Sequence, residues 1–322
     1  MKIRKRILTA ALALAMTAGL LSGCGKKEDA NAKKKIGIIQ LVEHDSLDAA
    51  RKGFTDGLAE AGYNDGAQIE IDYQNANGDQ ANNNTIADKF ANDDKDLILA
   101  IATPSAQAVA NKIKDTPILF TAVTDPVSAG LVADNEKVGG NVTGTSDKIP
   151  IEKQLDMLFD LKQEIKKVGL LYCSAEDNSI AQIAEAKDIL KARNIEFTEI
   201  TVQNANDVQS VLESAIDKVD AIYTPTDNAI ATAMSTVAQI AVPKKVPVVA
   251  GAVEMVQKGG AGTVGLDYYT LGKQTAEMAV KILKDGMKAE NLPVEFSKED
   301  KIELNEEIIG KLGLTVPEKY VK

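Results

Sequence analysis

The chain has 322 residues, and its 47 Asp and Glu outnumber its 37 Lys and Arg, which gives a formal net charge of −10. A chain this acidic repels phosphate backbones, so nucleic-acid binding is not expected. With one histidine, His44, and two cysteines, Cys24 and Cys173, it contains no Cys/His cluster with metal-ligand spacing, and we expect neither a metal nor another cofactor.

The first 24 residues have the pattern of a secreted lipoprotein. Four basic residues precede an apolar run, residues 7–21, which is shorter than the roughly 20 residues of a membrane-spanning helix. This pattern predicts that residues 1–23 are a secretory signal peptide. The segment Leu21-Ser22-Gly23-Cys24 resembles the bacterial lipoprotein processing box. The resemblance implies cleavage before Cys24 and attachment of diacylglycerol to its thiol, which would anchor the protein to the extracytoplasmic face of the cell membrane.

A polar segment, residues 24–34, follows and is typical of a flexible tether. Removing residues 1–23 removes four positive charges and no acidic ones, so the formal charge becomes −14. Once Cys24 carries lipid, Cys173 has no partner for a disulfide within the chain. Because Cys173 follows the apolar run 168–172, we expect it to be a small core or strand-end residue.

From Lys35 onward, short runs rich in β-branched residues alternate with longer amphipathic segments. Apolar runs separated by helices predict parallel sheets that are covered by helices on both faces, which is an α/β fold. The predicted strands are 36–42, 69–73, 97–101, 117–121, 138–143, 168–172, 196–202, 221–223, 246–250 and 263–266, and the predicted helices include 46–61, 178–192, 207–216 and 271–284.

The α/β pattern repeats loosely with a period of roughly 125–135 residues, which is too long for a solenoid. Ile36-Gly37-Ile38-Ile39 before a helix matches Val168-Gly169-Leu170-Leu171 before a helix, and three further pairs of segments match in the same order. We therefore predict two similar Rossmann-like lobes with a cleft between them. The first lobe would comprise residues 35–145 with a return at about 267–292, and the second 146–266 with a return at about 293–322.

Ligands of open parallel sheets bind beyond the carboxyl ends of the strands, so the residues after each strand are the candidates for binding. Two of these segments, Thr103-Pro104-Ser105 and Thr224-Pro225-Thr226-Asp227, place hydroxyl groups and a proline where a helix starts. The unpaired backbone N–H groups and the partial positive charge of a helix start attract a carboxylate. We expect Ser105 and the helix start near Ala106 to hold such a group.

Acidic side chains at other strand ends could hold an ammonium group. Asp125, Asp227, Glu254 and Asp267 stand at strand ends with no Lys or Arg close by in sequence. Together with the helix starts they suit a zwitterion, an amino acid, whose ammonium group Asp227 would bind with help from Asp267 or Glu254. Each residue taken alone is explained as a helix cap or a turn residue, but the same chemistry recurs at matching points of both halves.

His44 and Tyr268 are the residues that we expect beside the side chain of the ligand. For His44, a capping or loop role stays open on the residues alone. The chain is only 4% aromatic and contains no Trp, so an aromatic ligand would have few stacking partners.

Seven segments spread along the chain together carry a family pattern. They are Glu43-His44 with Leu47-Asp48-Ala49 and Gly53-Phe54, Tyr73-Gln74-Asn75-Ala76 with Gly78-Asp79, Ala100-Ile101-Ala102-Thr103-Pro104-Ser105-Ala106-Gln107, Phe120-Thr121-Ala122-Val123-Thr124-Asp125-Pro126, Gly139-Gly140-Asn141-Val142-Thr143-Gly144, Tyr223-Thr224-Pro225-Thr226-Asp227-Asn228 and Gly265-Leu266-Asp267-Tyr268-Tyr269. These segments resemble the bacterial ABC transporter substrate-binding family often described as tryptophan/tyrosine transport. The resemblance extends from about Lys35 to Val321, and one departure is Asp45-Ser46, where His-Pro-Ala is more usual.

The resemblance implies a type I periplasmic-binding-protein fold, in which two Rossmann-like lobes joined by a multi-stranded hinge close on a ligand. It also implies an aromatic amino acid as ligand and an ABC transporter permease as partner. Ligand binding would select the closed form because contacts from both lobes exist only there. The positions that match the cleft of the family are His44, Ser105, Ala106, Asp125, Asn178, Ser179, Asp227, Glu254 and Asp267, and Thr103, Thr124, Thr226 and Tyr268 stand beside them at strand ends.

Three other functional classes compete with a transport role. An enzyme is not expected, because the sequence contains no nucleophile elbow and no phosphate-binding loop. A cytoplasmic sugar-responsive regulator of similar fold is excluded by the lipoprotein box and by the lack of a DNA-binding headpiece. A receptor that senses its ligand stays open, as does a different ligand such as a branched-chain amino acid or a nucleoside.

Overall fold

The structure is a computed structural model that describes residues 32–320. The predicted signal peptide and the predicted lipidation site, Cys24, lie outside the described residues. Within residues 32–320, no helix is both long and apolar enough to cross a membrane.

Strands and helices alternate along the described chain. The strands are β1 (Lys34–Gln40), β2 (Ile69–Asn75), β3 (Leu97–Ile101), β4 (Ile118–Thr121), β5 (Val142–Ser146), β6 (Lys167–Cys173), β7 (Glu196–Val202), β8 (Ala221–Thr224), β9 (Val248–Ala250), β10 (Gly262–Gly265), β11 (Glu295–Phe296) and β12 (Lys301–Leu304). The helices are α1 (Asp45–Glu60), α2 (Gln80–Asn92), α3 (Thr103–Lys112), α4 (Ile151–Leu161), α5 (Asp177–Ala192), α6 (Val208–Ala215), α7 (Asn228–Thr232), α8 (Met234–Ala241), α9 (Val253–Gln257), α10 (Tyr268–Leu283) and α11 (Glu306–Leu312). Short 3₁₀ turns lie at Ala205–Asp207, Ile216–Lys218, Ala289–Asn291 and Glu318–Tyr320.

The strands form two six-stranded sheets with matching topology. The first sheet has the order β11-β5-β4-β3-β1-β2, and the second has the order β12-β10-β9-β8-β6-β7. Neighbouring strands are parallel except for β10 and β12, which pair antiparallel. The predicted α/β class with two lobes built on mostly parallel sheets is confirmed, and the matching strand orders account for the internal repeat.

The central strands are buried because helices cover both faces of each sheet. All five residues of β3 are buried, and so are all four residues of β8. In the first sheet Ile36 lies opposite Ile71 on one side and Leu97 on the other, so the β-branched and apolar side chains stack across the strands. This arrangement explains why these strands have continuous apolar sequences.

The fifth strand begins later than its sequence predicts. The apolar run 138–143 predicts a strand, but the strand that forms is Val142–Ser146. Gly139 has a φ of 70°, in the left-handed region that glycine adopts without steric cost, so the chain turns there before it becomes extended. Asp147 therefore follows the end of this strand directly.

The chain passes between the two sheets three times, always along the same edge. It passes from β5 to α4, which packs on the second sheet, and from β10 back to α10, which packs on the first. The third passage, residues 297–300, joins β11 of the first sheet to β12 of the second. These four strands occupy the two outermost positions at one side of their sheets.

Helices α1 and α10 pack in direct backbone contact. A Cβ atom on Gly53 would lie 2.0 Å from the carbonyl oxygen of Tyr269, and one on Gly272 would lie 2.0 Å from the carbonyl oxygen of Ala50. Only residues without a side chain allow this approach. The contact places the first turns of both helices beside the carboxyl ends of the sheets.

Candidate binding cleft

A cavity lies where the carboxyl ends of the two sheets face each other. Strand ends and helix starts of both lobes line it, namely His44, Ser46, Leu47, Ala122, Asp147, Asn178, Thr226, Asp227, Asn228, Ala231, Ala252, Met255 and Tyr268. The cavity has a volume of about 20 Å³, which is roughly the space that one water molecule needs. A second cavity of about 190 Å³ shares His44, Ser46, Ala231 and Met255 with it and is also lined by Glu254 and Lys258.

Polar contacts join the two lobes across this cavity. The hydroxyl groups of Thr124 and Thr226 lie 3.0 Å apart. The Ser46 hydroxyl donates to Glu254 Oε2 over 2.9 Å. Farther out, Gln107 Nε2 donates to Asp177 Oδ2 over 2.9 Å, and Lys258 pairs with Asp45 over 3.0 Å. The lobes are therefore closed on each other in this structure.

Asp147 is a buried acid with one unsatisfied oxygen. Its side chain is 3% exposed, and Oδ2 accepts a 2.7 Å hydrogen bond from the Tyr268 hydroxyl. Asp147 Oδ1 forms no hydrogen bond with the described residues, and the Thr124 hydroxyl is the other donor close enough to this carboxylate to lower its pKa. Burial raises the pKa of Asp147, because the charged form loses its hydration. A cationic donor in the cavity would satisfy both the free oxygen and the charge.

Sequence reasoning missed Asp147 for a specific reason. The strand before it was expected to end at residue 143, so Asp147 did not stand out as a strand-end acid. The signal that could have found it is the Thr143-Gly144-Thr145-Ser146 segment, whose alternating hydroxyl side chains are compatible with a strand that continues to Ser146.

Asp227 lines the same cavity, but its oxygens are occupied by the protein itself. Oδ1 accepts from the backbone N–H of Ile230 over 2.8 Å and so caps α7, and Oδ2 accepts from the backbone N–H of Cys173 over 2.6 Å. Ser179 also donates to this carboxylate. Burial raises the pKa of Asp227 despite these donors. The capping role that the sequence left open is thus present, together with a position in the cavity wall.

Glu176 and Asn228 form a second buried network beside Asp227, and sequence reasoning missed both. The Glu176 carboxylate accepts from Asn228 Nδ2 over 2.6 Å and from the backbone N–H of Ala229 over 3.0 Å. Burial, and then the nearby charge of Asp227, raise the pKa of Glu176 to about 8. Asn228 Oδ1 faces His44 Nε2 at 3.2 Å across the cleft. Burial lowers the pKa of His44.

Asn178 and Glu254 complete the polar lining. Asn178 Nδ2 donates to the carbonyl oxygen of Thr226 over 2.9 Å, whereas no partner within residues 32–320 reaches Asn178 Oδ1. Glu254 belongs to the larger cavity, where burial raises its pKa. Tyr268 is 3% exposed and presents its hydroxyl to Asp147.

The residues expected to bind a carboxylate after β3 are not among those that line either cavity. The Ser105 hydroxyl donates to Asn83 Oδ1 over 2.8 Å, and Ser105 is fully buried between α2 and α3. Ala106 packs in the apolar core of the first lobe. Thr103 is buried as well. The Ser105 hydroxyl is therefore satisfied inside the first lobe, whereas Thr103 Oγ1 has no hydrogen-bond partner among the described residues.

Asp125 and Asp267 also lie outside the cavity lining. Asp125 accepts from the backbone N–H of Ser128 over 3.0 Å and pairs with Lys148 over 3.2 Å. The sequence suggested an acid without a cation because Lys148 lies 23 positions away, and the fold brings it back. Asp267 caps α10 through the backbone N–H of Thr270 at 2.8 Å and is exposed.

Comparison with known proteins agrees with the two-lobed architecture. A family model described as ABC transporter substrate binding protein matches residues 35–322. A protein named tyrosine-binding protein from Clostridioides difficile (strain R20291) is 41% identical over 321 residues, which cover 96% of this chain and 93% of that protein.

Two solved structures are informative because they differ in ligand state. An ABC domain from Streptococcus pneumoniae in complex with L-Trp is 39% identical, with a TM-score of 0.86 over 90% of this chain and 98% of that one. The ligand-free, open structure of a substrate-binding protein with adhesive properties from Clostridium difficile is 44% identical, but its TM-score is only 0.68 over 88% of this chain and 96% of that one. The chain therefore superimposes more closely on the L-Trp-bound relative than on the open one, which agrees with the closed cleft.

Proposed function

Because this chain belongs to the family of ABC transporter substrate-binding proteins, we propose that it captures an aromatic amino acid, tyrosine or tryptophan, outside the cell and delivers it to an ABC importer without catalysing a reaction. The relative named for tyrosine and the relative solved with L-Trp support this choice of ligand. The observation that carries the proposal is the free, buried oxygen of Asp147 in the cavity between the lobes.

In this proposal Asp147 binds the ammonium group of the ligand. An ammonium group supplies the donor that Asp147 Oδ1 lacks and the positive charge that a buried carboxylate needs. Asp227 and Asn178, in the same cavity wall, add negative charge and a further free acceptor, Asn178 Oδ1. This arrangement moves the main ammonium contact from Asp227, where the sequence suggested it, to Asp147.

The first turn of α1 is the proposed site for the carboxylate of the ligand. Ser46 and Leu47 belong to this turn and line the cavity, and no side chain among the described residues caps the helix start. The first backbone N–H groups of a helix lack partners within the helix and favour an anion. The two acids of the turn are already paired, Asp45 with Lys258 and Asp48 with Arg51.

The side chain of the ligand would extend toward the larger cavity, past Ala231 and Met255. These two residues line both cavities, and a methionine sulfur makes favourable contacts with aromatic rings. The smaller cavity has too little room for an amino acid, so the lobes must part for the ligand to enter and adjust when they close on it. We propose that they do so as two bodies, residues 35–145 with 267–296 and residues 146–266 with 301–320.

The membrane anchor and the transporter contact are further parts of the proposal. The sequence at Cys24 supports a lipid anchor on the extracytoplasmic face, and the family supports a permease as partner. A sensory role would share the same cleft, and a neighbouring permease gene would distinguish transport from sensing.

Calorimetric titration of refolded, ligand-stripped protein tests the ligand class. We expect L-tyrosine and L-tryptophan to bind, and N-acetyl-L-tyrosine, which has no ammonium group, to bind far more weakly. The chain contains no Trp, so indole emission from a mixture with L-tryptophan reports the ligand alone. Tighter binding of leucine or of a nucleoside than of either aromatic amino acid would contradict the proposal.

A further inference from the structure

We propose that Glu176 is a positioning residue that fixes the orientation of the Asn228 side-chain amide and thereby allows His44 to close the cleft. This inference rests on the proposed function, since it concerns how the same cleft closes over its ligand. Glu176 has no cavity-lining role at the proposed amino-acid site and acts only through Asn228.

The first step is the contact between Glu176 and Asn228. Glu176 precedes α5 and is 6% exposed. It accepts four N–H groups: Asn228 Nδ2 at 2.6 Å, the Asn228 backbone N–H at 3.2 Å, the Ala229 backbone N–H at 3.0 Å and, more weakly, Asn178 Nδ2 at 3.5 Å. Oε2 accepts the backbone N–H of Asn228 and Oε1 accepts that of Ala229, so both carboxyl oxygens of Glu176 act as acceptors here. The NH₂ group of the Asn228 amide must therefore face Glu176, and its oxygen must face the other way.

The second step is the contact that this orientation permits. Asn228 Oδ1 points across the cleft to His44 Nε2 at 3.2 Å. Because Oδ1 can only accept, His44 must carry a proton on Nε2 to form this bond. If the amide were reversed, its NH₂ group would face that N–H and the two donors would repel each other. The bond between the lobes thus depends on a residue that His44 does not touch.

The charged groups around Glu176 and His44 are acidic, so N–H donors are the groups that stabilise the Glu176 side chain. On the second lobe, Asp227 and the Cys173 thiol lie nearby, and Asp207 acts on that thiol. On the first lobe, Asp45 and Asp48 are the charged groups that act on His44. Among the described residues, no Lys or Arg forms an ion pair with Glu176. A Gln at this position cannot accept all of these N–H groups, because its own NH₂ group would meet at least one of them.

The single histidine provides a direct measurement of the network. In protein labelled with ¹⁵N-histidine and saturated with L-tyrosine, we expect one imidazole Nε2–H signal that exchanges slowly with water, because the closed cleft protects it. In Glu176→Gln we expect this signal to be lost and the Kd for L-tyrosine to rise roughly tenfold, since a buried hydrogen bond near a charge is disrupted. Glu196→Gln makes the same substitution at an exposed position at the start of β7 and should leave both readouts unchanged.

Two further outcomes keep the test decisive. If Glu176→Gln does not fold, Asn228→Ala removes the acceptor of His44 directly, and retention of the protected signal in that variant would overturn the proposal. A Glu176→Gln protein with a native Kd and a native imidazole signal would overturn it as well. Failure of the unmodified protein to bind any aromatic amino acid would instead contradict the proposed function, so the two failures are distinguishable.

Discussion

At the scale of single residues, two buried acids near each other in the cleft have different roles because their oxygens have different partners. Asp227 accepts from the backbone N–H groups of Ile230 and Cys173, so it holds α7 and the end of β6 in place. Asp147 accepts from Tyr268 through one oxygen and leaves the other free toward the cavity. Replacing the first should mainly affect folding, whereas replacing the second should mainly affect binding.

Asp147→Asn should weaken binding of L-tyrosine about 10- to 100-fold, because a charge-assisted hydrogen bond to the ammonium group contributes about 1.5–3 kcal/mol. Isothermal titration calorimetry gives the Kd. Asp125→Asn is the matched control: Asp125 pairs with Lys148 outside the cavity lining, so its Kd should stay native. If Asp125→Asn weakened binding and Asp147→Asn did not, the ligand site would not be the cavity that Asp147 lines.

Asp227→Ala should lower the free energy of unfolding by about 2–4 kcal/mol, because it removes a helix cap and leaves a buried backbone N–H without an acceptor. Urea unfolding monitored by circular dichroism measures this change. Asp188→Ala, at an exposed position on α5, should change stability by less than about 0.5 kcal/mol. Native stability in Asp227→Ala would show that the cap is dispensable.

At the scale of elements, the contact between α1 and α10 links the fold to the site. The two helices approach through Gly53 and Gly272, and their first turns carry Ser46 and Leu47 on one side and Tyr268 on the other. A change in the spacing of the helices would therefore move three residues of the cavity wall at once.

Gly272→Ala should destabilise the protein by about 1–3 kcal/mol, because its Cβ would meet the Ala50 carbonyl and force the helices apart. It should also weaken ligand binding. Gly310→Ala is the matched control, since among the described residues no atom apart from its chain neighbours and the backbone of its own helix lies within 4 Å of its Cβ position. Ala there should raise the free energy of unfolding by about 0.5–1 kcal/mol. Thermal unfolding gives the change in stability of each variant. Equal stability changes in Gly272→Ala and Gly310→Ala would contradict the close contact between the two helices.

The sequence allowed the prediction of elements with a strong apolar run and missed those without one. The strands at 97–101 and 196–202 form where their runs predict them. β11 has two residues and β12 is an antiparallel edge strand that is half-buried, so neither has a continuous buried run. The shift of β5 past Gly139 had the larger effect, because it concealed Asp147.

At the scale of the whole molecule, the cleft could be predicted but its contacts could not. The internal repeat indicated two lobes, and parallel strands indicated which ends face the ligand. His44 and Asn228 are 184 positions apart, and Ser46 and Glu254 are 208 positions apart. Local patterns carry no information about which side chains meet over such separations, so the network of Glu176, Asn228 and His44 required the structure.

The ligand-free protein should lose stability as the pH rises from about 5 to about 8. Asp147, Glu176, Asp227 and Glu254 have raised pKa values in the folded state, with Glu176 at about 8. Between their unfolded and folded pKa values, the folded state binds more protons than the unfolded state, so the free energy of unfolding falls with pH. Urea unfolding at unit pH intervals measures the slope. Rising stability over this range would contradict the prediction.

The three chain passages along one edge of the sheets set the order in which the cleft makes contact with a ligand. When the lobes rotate about that edge, each atom is displaced in proportion to its distance from the edge. β2 and β7 lie at the opposite end of their sheets and are therefore displaced most. Asp147 follows β5 directly, so in the proposed hinge motion it should move least. We expect the ammonium group of the ligand to bind Asp147 first, while the cleft is still open. The hydrogen bond between His44 and Asn228 should form last, when the cleft closes.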